Sequence, residues 1–422
     1  MRAQFSKIAI ALGMLAIFLF AVGILLGHSP LPTAAISSTK LEGKQTTLQI
    51  AQSITWTVEM VDHTSGTYRD IAISADSSNK PRIVYLDTHE TGGIPYSDLV
   101  YARLNGDTWI TQTITPTGCY DHPLSGLSMS LDSSGYPHIA YHYFTPSYWP
   151  YVGGHLNYIA YDGSQWNEQN IDQGQQKIAV GAYPSLALDS NGLPHIGYSR
   201  QDYIGDSDSV LYAYFANSTW TTQIVESSNN TGWYVSLTLD TADRPHISYY
   251  DGAFNALKYA WYDGTIWHKE VVTNTYVNDI ALALDTSNRP HIVFDTQHFN
   301  DYKLVYAWHN GTNWQFEIVS NERALGVSMV LDSQDKPHIG YSASEIMKYA
   351  YKDQDSWEIE LIDDSEIDRY LALAVDKSDN LHLGYSTCFS TECLKTVKYA
   401  YIDVSPNIQV YLPLVLRNVS SP

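Results

Sequence analysis

Large and small side chains alternate along short segments that each end at an aspartate. In the segment from Ser236 to Leu239, the third residue before Asp240 is large and the second is β-branched. A period of two with apolar residues on both faces is typical of a β-strand buried on two sides. The pattern therefore predicts a strand that packs between two neighbouring sheets. The large residue recurs at Ile73, Met129, Leu186, Leu237, Leu282, Met329 and Leu373.

The same segment occurs seven times, which indicates a repeat architecture. Each repeat unit contains one aspartate, called the repeat Asp below: Asp76, Asp132, Asp189, Asp240, Asp285, Asp332 and Asp376. A proline stands five residues later in six units, and Leu381 takes that place in the seventh. Asp and Ser side chains accept hydrogen bonds from nearby backbone amides, and proline cannot donate to a β-ladder. The segment is therefore predicted to be a turn between a first and a second strand.

A third and a fourth strand complete each unit. The fourth begins with a tryptophan in six units: Trp109, Trp166, Trp220, Trp267, Trp314 and Trp357. The seventh copy stands at the other end of the chain, where Thr55 to Val61 includes Trp56 and repeats the pattern of residues 357–362. A strand that completes the last sheet from the other end of the chain closes a ring and removes exposed sheet edges. The sequence thus predicts an all-β fold, a seven-bladed β-propeller over residues 54–403, with four antiparallel strands per blade and closure by this N-terminal outer strand.

The N-terminal region has the pattern of an export signal. Arg2 and Lys7 precede an uncharged apolar run from Ile8 to Leu26. The run is long enough to span a bilayer, so both a cleaved signal peptide and a membrane anchor remain open for residues 1–35. Residues 36–53 are predicted to be a linker and residues 404–422 a C-terminal tail. Positive charge before the run predicts an extracytoplasmic body, either secreted or anchored to the cell surface.

The charge balance excludes one class of partner. The 422 residues include 24 Lys and Arg against 45 Asp and Glu, which gives a net charge of −21. An acidic chain without a basic block has no general attraction to a phosphate backbone, so nucleic acid is not an expected partner. Membrane contact is expected only through the N-terminal apolar segment, and the body is expected to be a monomer.

Cysteine usage adds one expectation. Three cysteines are too few for a disulfide framework or a four-cysteine zinc site. In an exported chain, Cys388 and Cys393 are expected to close a small loop as a disulfide, with two free thiols as the alternative. Cys119 is left over.

Two hairpins carry a resemblance to a known superfamily. Asp162 to Trp166 reads DGSQW, and Asp263 to Trp267 reads DGTIW. The units resemble those of sialidase-like propellers with Asp-box motifs (bacterial neuraminidase repeats) and of related sugar-binding propellers. The Asp-box has the pattern Ser-x-Asp-x-Gly-x-Thr-Trp, whereas Asp and Gly are adjacent in this chain. The resemblance covers roughly residues 54–403 and implies a propeller that recognises or cleaves glycans.

One repeat position raises the question of a metal. It holds a histidine in six units and Arg82 in the first: His138, His195, His246, His291, His338 and His382. Equivalent positions in different blades lie too far apart to share one ion, so each histidine is expected to bind polar groups of the turn or of a neighbouring blade. The turn aspartates resemble half of a calcium loop without its terminal glutamate. No metal site and no cofactor is therefore predicted, with calcium as the alternative.

Aromatic residues are frequent in the loops expected on one face. Their rings offer flat apolar surfaces with polar edges, which suit stacking against sugar rings or docking a protein. Trp149, between Pro146 and Pro150, is the leading candidate for an exposed platform. The predicted ligand-binding residues are Tyr120, Tyr148, Trp149, Tyr151, Tyr183, Tyr203, Trp233 and Tyr234. Packing of these rings onto the ring of blades is the alternative.

A second candidate site contains three arginines. Arg69, Arg323 and Arg369 precede the first strands of units that are consecutive once the ring closes. Their convergence on a carboxylate would resemble a sialidase, for which Tyr68 and Tyr370 are available as the nucleophile and Glu366 as the acid. In the alternative, each arginine is neutralised by the acidic residue next to it in sequence: Asp70, Glu322 and Asp368.

These patterns favour a recognition module. The predicted function is an exported propeller that presents an aromatic and acidic loop face to a glycan or an extracellular protein. The alternative from another class is a sialidase-like exo-acting glycosidase, and a structural role at the cell surface ranks third.

Overall fold

The alternating segments form β-strands, and the described residues contain no helix. The structure, a computed structural model, describes residues 56–63, 67–91, 94–117, 126–145, 153–174, 178–202, 208–298, 301–365, 367–388 and 395–402. They lie in one compact unit, Trp56–Val404. The predicted signal or anchor, the linker and the C-terminal tail fall outside the described residues. Within the ranges given, no helix is long and apolar enough to cross a membrane.

The strands follow the order that the repeats predict. The first fourteen are β1 Thr57–His63, β2 Thr67–Ala75, β3 Pro81–Thr91, β4 Ile94–Asn105, β5 Thr108–Thr117, β6 Leu127–Leu131, β7 Pro137–Thr145, β8 Gly153–Tyr161, β9 Trp166–Gln173, β10 Ile178–Leu188, β11 Pro194–Asp202, β12 Ser209–Ala216, β13 Thr219–Ser227 and β14 Thr231–Leu239. The others are β15 Pro245–Asp251, β16 Ala256–Tyr262, β17 Trp267–Thr273, β18 Val277–Leu284, β19 Pro290–His298, β20 Asp301–His309, β21 Trp314–Ser320, β22 Leu325–Leu331, β23 Pro337–Ala343, β24 Ile346–Asp353, β25 Ser356–Asp363, β26 Ile367–Val375, β27 Leu381–Cys388 and β28 Lys395–Ile402.

Hydrogen bonding joins the described strands into six sheets. Five have four antiparallel strands, in the orders β2-β3-β4-β5, β14-β15-β16-β17, β18-β19-β20-β21, β22-β23-β24-β25 and β1-β28-β27-β26. The last of these confirms the predicted closure, because β1 pairs with β28 from Thr57 opposite Tyr401 to His63 opposite Thr396. The sixth sheet has eight strands, β6 to β13.

The eight-stranded sheet joins two repeat units that were expected to form separate sheets. Its halves meet in one parallel pair, Ala179 with Gly154. Glycines permit this approach: a Cβ atom on Gly181 would lie 2.8 Å from the Cα of Leu156, and one on Gly174 would lie 2.4 Å from the carbonyl oxygen of Gly154. The described residues therefore form six separate sheets, where the sequence predicts seven.

The first strands of the units contact one another in a closed ring. The order of contact is β2, β6, β10, β14, β18, β22 and β26, and β26 contacts β2. The large residues of these strands are only 6–7% exposed: Ile73, Met129, Leu186, Leu237, Leu282, Met329 and Leu373. Their predicted burial between sheets is therefore confirmed.

Aromatic pairs link each unit to the next. A tyrosine on the third strand packs edge-on against the tryptophan of the following unit, with ring centroids 5.1–5.7 Å apart. The pairs are Tyr101–Trp166, Tyr158–Trp220, Tyr212–Trp267, Tyr259–Trp314, Tyr306–Trp357, Tyr349–Trp56 and Tyr399–Trp109. Trp56 thus occupies the place that the sequence assigns to it in the last unit.

The repeated histidines bind polar groups of their own unit. In each of the six, Nδ1 shares a hydrogen bond with the hydroxyl of the tyrosine described above, and Nε2 lies 3.2–3.9 Å from Oδ2 of the repeat Asp. His382, for example, lies 2.6 Å from Tyr399 Oη and 3.2 Å from Asp376 Oδ2. In the first unit, Arg82 binds Asp76 at 2.6 Å. The expected structural role of this position is confirmed.

The repeat Asp also caps its turn. In all seven units its Oδ1 accepts hydrogen bonds from the backbone N–H groups two and four residues later, at 2.7–3.0 Å. Both carboxylate oxygens of the repeat Asp therefore have protein partners. Oδ1 binds the turn amides, and Oδ2 faces the histidine or, in the first unit, Arg82. Calcium binding remains an untested alternative.

We expect the free energy of unfolding to fall as pH drops below about 6.5, the pKa of an unfolded histidine. Burial lowers the pKa of His138, His195, His246, His291 and His382 in the folded chain. The unfolded chain then binds protons that the folded chain excludes, so each such histidine contributes a slope of at most about 1.4 kcal/mol per pH unit. Urea unfolding at several values between pH 7.5 and 5 measures the slope. It should decrease in His246→Gln, and an unchanged slope would contradict this assignment.

Candidate functional site

The first strands begin with a shared distortion, at the end opposite the repeat Asp. Six residues before that aspartate, the backbone is left-handed in five units, with φ between 43° and 59° at Asp70, Tyr183, Tyr234, Asp279 and Gly326. The strand register shifts at the same place, which marks a β-bulge. A left-handed conformation costs a residue other than glycine about 1–2 kcal/mol, and bulges often redirect a side chain next to a site. This rim position is therefore where we place the candidate site.

Two tyrosines occupy neighbouring rim positions. The rings of Tyr183 and Tyr234 are 5.2 Å apart, and Trp233 lies 6.1 Å from Tyr183. The Tyr234 hydroxyl donates to Oδ1 of Asn278 at 3.5 Å, and the Trp233 indole donates to Oδ1 of Asn230 at 3.0 Å. All three rings are half-buried, and each packs on an apolar cluster. The rings therefore pack on the core and keep some contact with solvent, and their role in ligand binding stays a prediction.

Asp279 holds the next rim position. Its Oδ2 accepts a hydrogen bond from the backbone N–H of Gly326 at 2.9 Å, and no described residue donates to its Oδ1. Burial raises the pKa of Asp279, whereas Gly326 and Arg369 act in the opposite direction. The residue as a whole is half-buried. Gly326 has no substitute here, because a Cβ atom would lie 1.7 Å from the carbonyl oxygen of Arg369.

A second carboxyl, that of Asp295 on β19, lies near Asp279 on β18. Asp295 is fully buried, and it accepts hydrogen bonds from Nδ2 of Asn278 at 3.3 Å and from the Ala324 backbone at 3.4 Å. Burial, with the charge of Asp279 as a further cause, raises the pKa of Asp295 to about 7. A carboxyl that keeps a proton near neutral pH can act as a hydrogen-bond or proton donor.

Two of the three candidate arginines interact with different carboxyls. The charge of Arg369 acts on Asp279 and Tyr234. The charge of Arg323 acts on Asp295, and its guanidinium lies 5.5 Å from the centre of the Tyr302 ring.

The residues around this rim position form the candidate site. We call Tyr183, Tyr234, Asn278, Asp279 and Arg369 the rim cluster.

One acidic neighbour of the arginines differs from the expectation. Glu322 binds Lys348 at 2.7 Å, so its neutralisation of Arg323 is wrong. The side chains of Arg69 and Asp368 lie outside the described part of the chain. Convergence of the three arginines therefore stays a prediction.

Several predicted site residues fall outside the described residues: Tyr120, Tyr148, Trp149, Tyr151, Tyr203, Glu366 and Cys393. Cys388 ends β27, but its side chain is not described, so the disulfide stays a prediction. Tyr370 is half-buried and packs with Ile71 and Tyr399. Its role as a nucleophile also stays a prediction.

Asp279, Asn278 and Asp295 are not among the residues that the sequence patterns predict for a site. One signal was available, because the position six residues before the repeat Asp varies between aspartate, glycine and tyrosine while the positions after it follow a strict pattern. Asp295 interrupts an apolar second strand with a charge, which is a further sign of a site.

Comparisons with known proteins add the class of fold. No protein-family model matches the chain, and no curated protein matches its sequence. Similar solved structures include an ulvan lyase of polysaccharide lyase family PL25 bound to -[GlcA(1-4)Rha3S]-, with 12% identity, a TM-score of 0.51, and coverage of 81% of this chain and 91% of that chain. A GH93 α-L-arabinofuranosidase of Fusarium graminearum in complex with arabinobiose has 12% identity, a TM-score of 0.50, and coverage of 82% and 96%. A protein of unknown function from Dyadobacter fermentans has 10% identity, a TM-score of 0.50, and coverage of 82% and 97%.

At these identities the likeness concerns the fold alone. The ring of antiparallel sheets and these neighbours define the chain as an all-β protein of the β-propeller class. Neighbours of this fold include a glycoside hydrolase and a polysaccharide lyase. The likeness does not extend to the Asp-box motif, which remains a resemblance of sequence only.

Proposed function

We propose that this protein is an exported, sialidase-like propeller of seven blades that recognises a glycan at the rim cluster. The observation that carries the proposal is the pair of half-buried tyrosines, Tyr183 and Tyr234, held in left-handed conformations next to Asp279. Aromatic faces stack on sugar rings, and a carboxyl beside them binds sugar hydroxyls. Backbone strain at adjacent bulky residues is typical of functional sites.

The count of seven blades has its own support. Seven first strands contact one another in a closed ring, and seven tyrosine–tryptophan pairs join successive units. We count the eight-stranded sheet as two blades, because a single parallel residue pair connects its halves.

A glycan array tests the recognition function on the soluble fragment from Ser53 to Val404. We expect binding that weakens by about 1–3 kcal/mol in Tyr183→Ala and Tyr234→Ala, because each substitution removes a stacking surface. Phe316→Ala is the matched control, since Phe316 is an aromatic residue on β21 that is 46% exposed and remote in sequence from the rim cluster. If no glycan binds the unmodified fragment, or if the control variant loses as much affinity, the proposal is wrong.

Glycoside hydrolysis is the second candidate function, and the two neighbouring carboxyls favour it. A glycosidase needs one carboxyl that is protonated and one that is ionised. Burial raises the pKa of Asp295 to about 7, and the Gly326 N–H and Arg369 act to lower the pKa of the neighbouring Asp279.

The same array separates the two functions when release of reducing sugar is measured on every bound glycan. Recognition alone predicts no release. Hydrolysis predicts release that falls by about 10²–10⁴-fold in Asp279→Asn while binding persists.

A further inference from the structure

The turns that follow the first strands are locked to one another. We call the contact between the turns of two successive units a joint. In three joints, a Ser or Thr directly after the repeat Asp donates two hydrogen bonds, from its backbone N–H and its hydroxyl, to a carboxylate of the next unit. That carboxylate stands three residues after the repeat Asp of its own unit. Ser190 donates to Asp243 at 2.9 and 2.6 Å, and Ser333 donates to Asp379 at the same two distances. Thr286 donates to Asp335 at 2.8 and 2.7 Å. We call this arrangement, in which one residue donates two hydrogen bonds to a carboxylate, a clamp, and the described turns contain three copies of it.

A fourth joint uses an amide in place of the carboxylate. Thr241 donates its N–H to Oδ1 of Asn288 at 3.1 Å and accepts from Nδ2 at 2.9 Å. The joint between the last and the first unit uses Asn79, which donates to Ser378 at 2.8 Å. A joint can therefore form with different partners, provided that a polar side chain stands three residues after the repeat Asp.

Two joints have the donors but lack the carboxylate. The residues that would accept from Ser77 and Ser133 are Gly135 and Gly192. Both glycines have φ of +78° and the same turn hydrogen bond as the other units, 2.9 Å from their N–H to the carbonyl of the repeat Asp. Among the described residues, Ser77 has no hydrogen-bond partner.

An open cavity of about 290 Å³ lies at the first of these joints. Ser77, Ser133 and Lys377 line it, together with Asp76 and Asp132. Gly135 sits against it, since a Cβ atom there would lie 3.4 Å from the Cβ of Asp76. Lys377 and Ser77 therefore line the same cavity.

We propose that this cavity binds the carboxylate of a small ligand, held by the N–H and Oγ of Ser77 in the way that Asp243, Asp335 and Asp379 are held in the sister joints. Lys377 supplies the positive charge. The site is independent of the rim cluster, because it lies at the turns after the first strands, whereas the rim cluster lies at the beginning of those strands.

The aspartates of the cavity have partners within the chain. Asp76 is paired with Arg82 at 2.6 Å and caps its own turn, and Oδ1 of Asp132 accepts two backbone N–H groups. In the sister joints too, the residue that donates to the carboxylate directly follows a repeat Asp. The net charge of −21 opposes any anion at long range, and physiological salt screens that repulsion.

The test measures binding to the full chain in mild detergent by ligand-observed NMR. The salt concentration is about 150 mM, which is close to physiological ionic strength. The probes are sodium glucuronate and succinate, and glucose and succinamide are the neutral controls. We expect at least one carboxylate to bind, and both neutral analogues to bind at least about tenfold more weakly. Binding of both acids means that the carboxylate alone is recognised, whereas binding of one identifies a sugar acid or a simple carboxylic acid as the source. Equal binding of acids and neutral controls, or no binding of either acid, overturns the proposal.

Substitutions at the joints locate the site. Gly135→Asp supplies the missing carboxylate in a backbone conformation that five sister residues adopt with φ of 60–62°, so it should fill the clamp and weaken binding by about tenfold or more. Gly311→Asp is the matched control, because it adds the same charge at another left-handed turn glycine that does not line the cavity, and a Cβ atom there meets nothing within 4 Å. Ser77→Ala should weaken binding by about threefold and leaves the turn glycine unchanged. Unaltered affinity in both Gly135→Asp and Ser77→Ala would place the ligand elsewhere and refute the proposal.

Discussion

Removal of β1 should cost this protein a large share of its stability. A chain that begins after His63 loses Val61, which is 7% exposed in a cluster with Ile71 and Tyr399. It also loses the Trp56–Tyr349 ring contact and the hydrogen bond from the Trp109 indole to Glu59 at 3.1 Å. Relative to the fragment from Ser53, we expect a loss of more than about 4 kcal/mol, against a usual total of 5–15 kcal/mol. Urea unfolding measures the difference, and aggregation should increase because β28 becomes an open edge.

A circular permutation provides the control for this truncation. Thr57 lies opposite Tyr401, so the start of β1 is next to the end of β28. When residues 54–63 are attached through a short turn after Val404, the strand order of the other units is restored. This variant should recover most of the lost stability. Equal stability of the truncated chain and the Ser53 fragment would contradict ring closure by β1.

Leu237→Ala should destabilise the chain by about 2–5 kcal/mol, because it opens a cavity between two sheets. The side chain is 6% exposed and packs with Val235, Ile247 and Tyr249. A Cβ atom on Gly197 would lie 3.2 Å from the Cβ of Leu237, which shows how closely the neighbouring sheet approaches. Chemical denaturation of the Ser53 to Val404 fragment measures this loss.

Leu361→Ala is the matched control for that substitution. This substitution removes the same atoms from a leucine on β25, but the Leu361 side chain is 58% exposed. We expect an effect within about 0.5 kcal/mol. A loss below about 1 kcal/mol for Leu237→Ala would mean that its site collapses without leaving a cavity.

The strand order and the closure follow from local chemistry. Alternation with a period of two, a capping aspartate and a proline each act over a few residues, so they mark strands and turns wherever they recur. The Trp56 segment repeats the fourth-strand pattern, and it pairs as the pattern predicts. Joining of two units into one sheet was not foreseen, because it depends on the packing of Gly154, Gly174 and Gly181 against a strand of another unit.

The candidate site depends on which residues of different units meet. Tyr183, Tyr234 and Asp279 are remote in sequence and come together only because their first strands are adjacent in the ring. The raised pKa of Asp295 arises from burial and from the charge of Asp279, neither of which can be calculated before the chain is folded.

The sequence by itself determined the repeated strands, the turns, the buried face of each first strand and the position of the closing strand, because these depend on side chains a few residues apart. The tertiary structure alone decided which rim residues form a cluster, which carboxyl retains a proton, and which turn donors lack an acceptor. These properties depend on contacts between units and on exclusion of water, and the order of residues within one unit does not contain them.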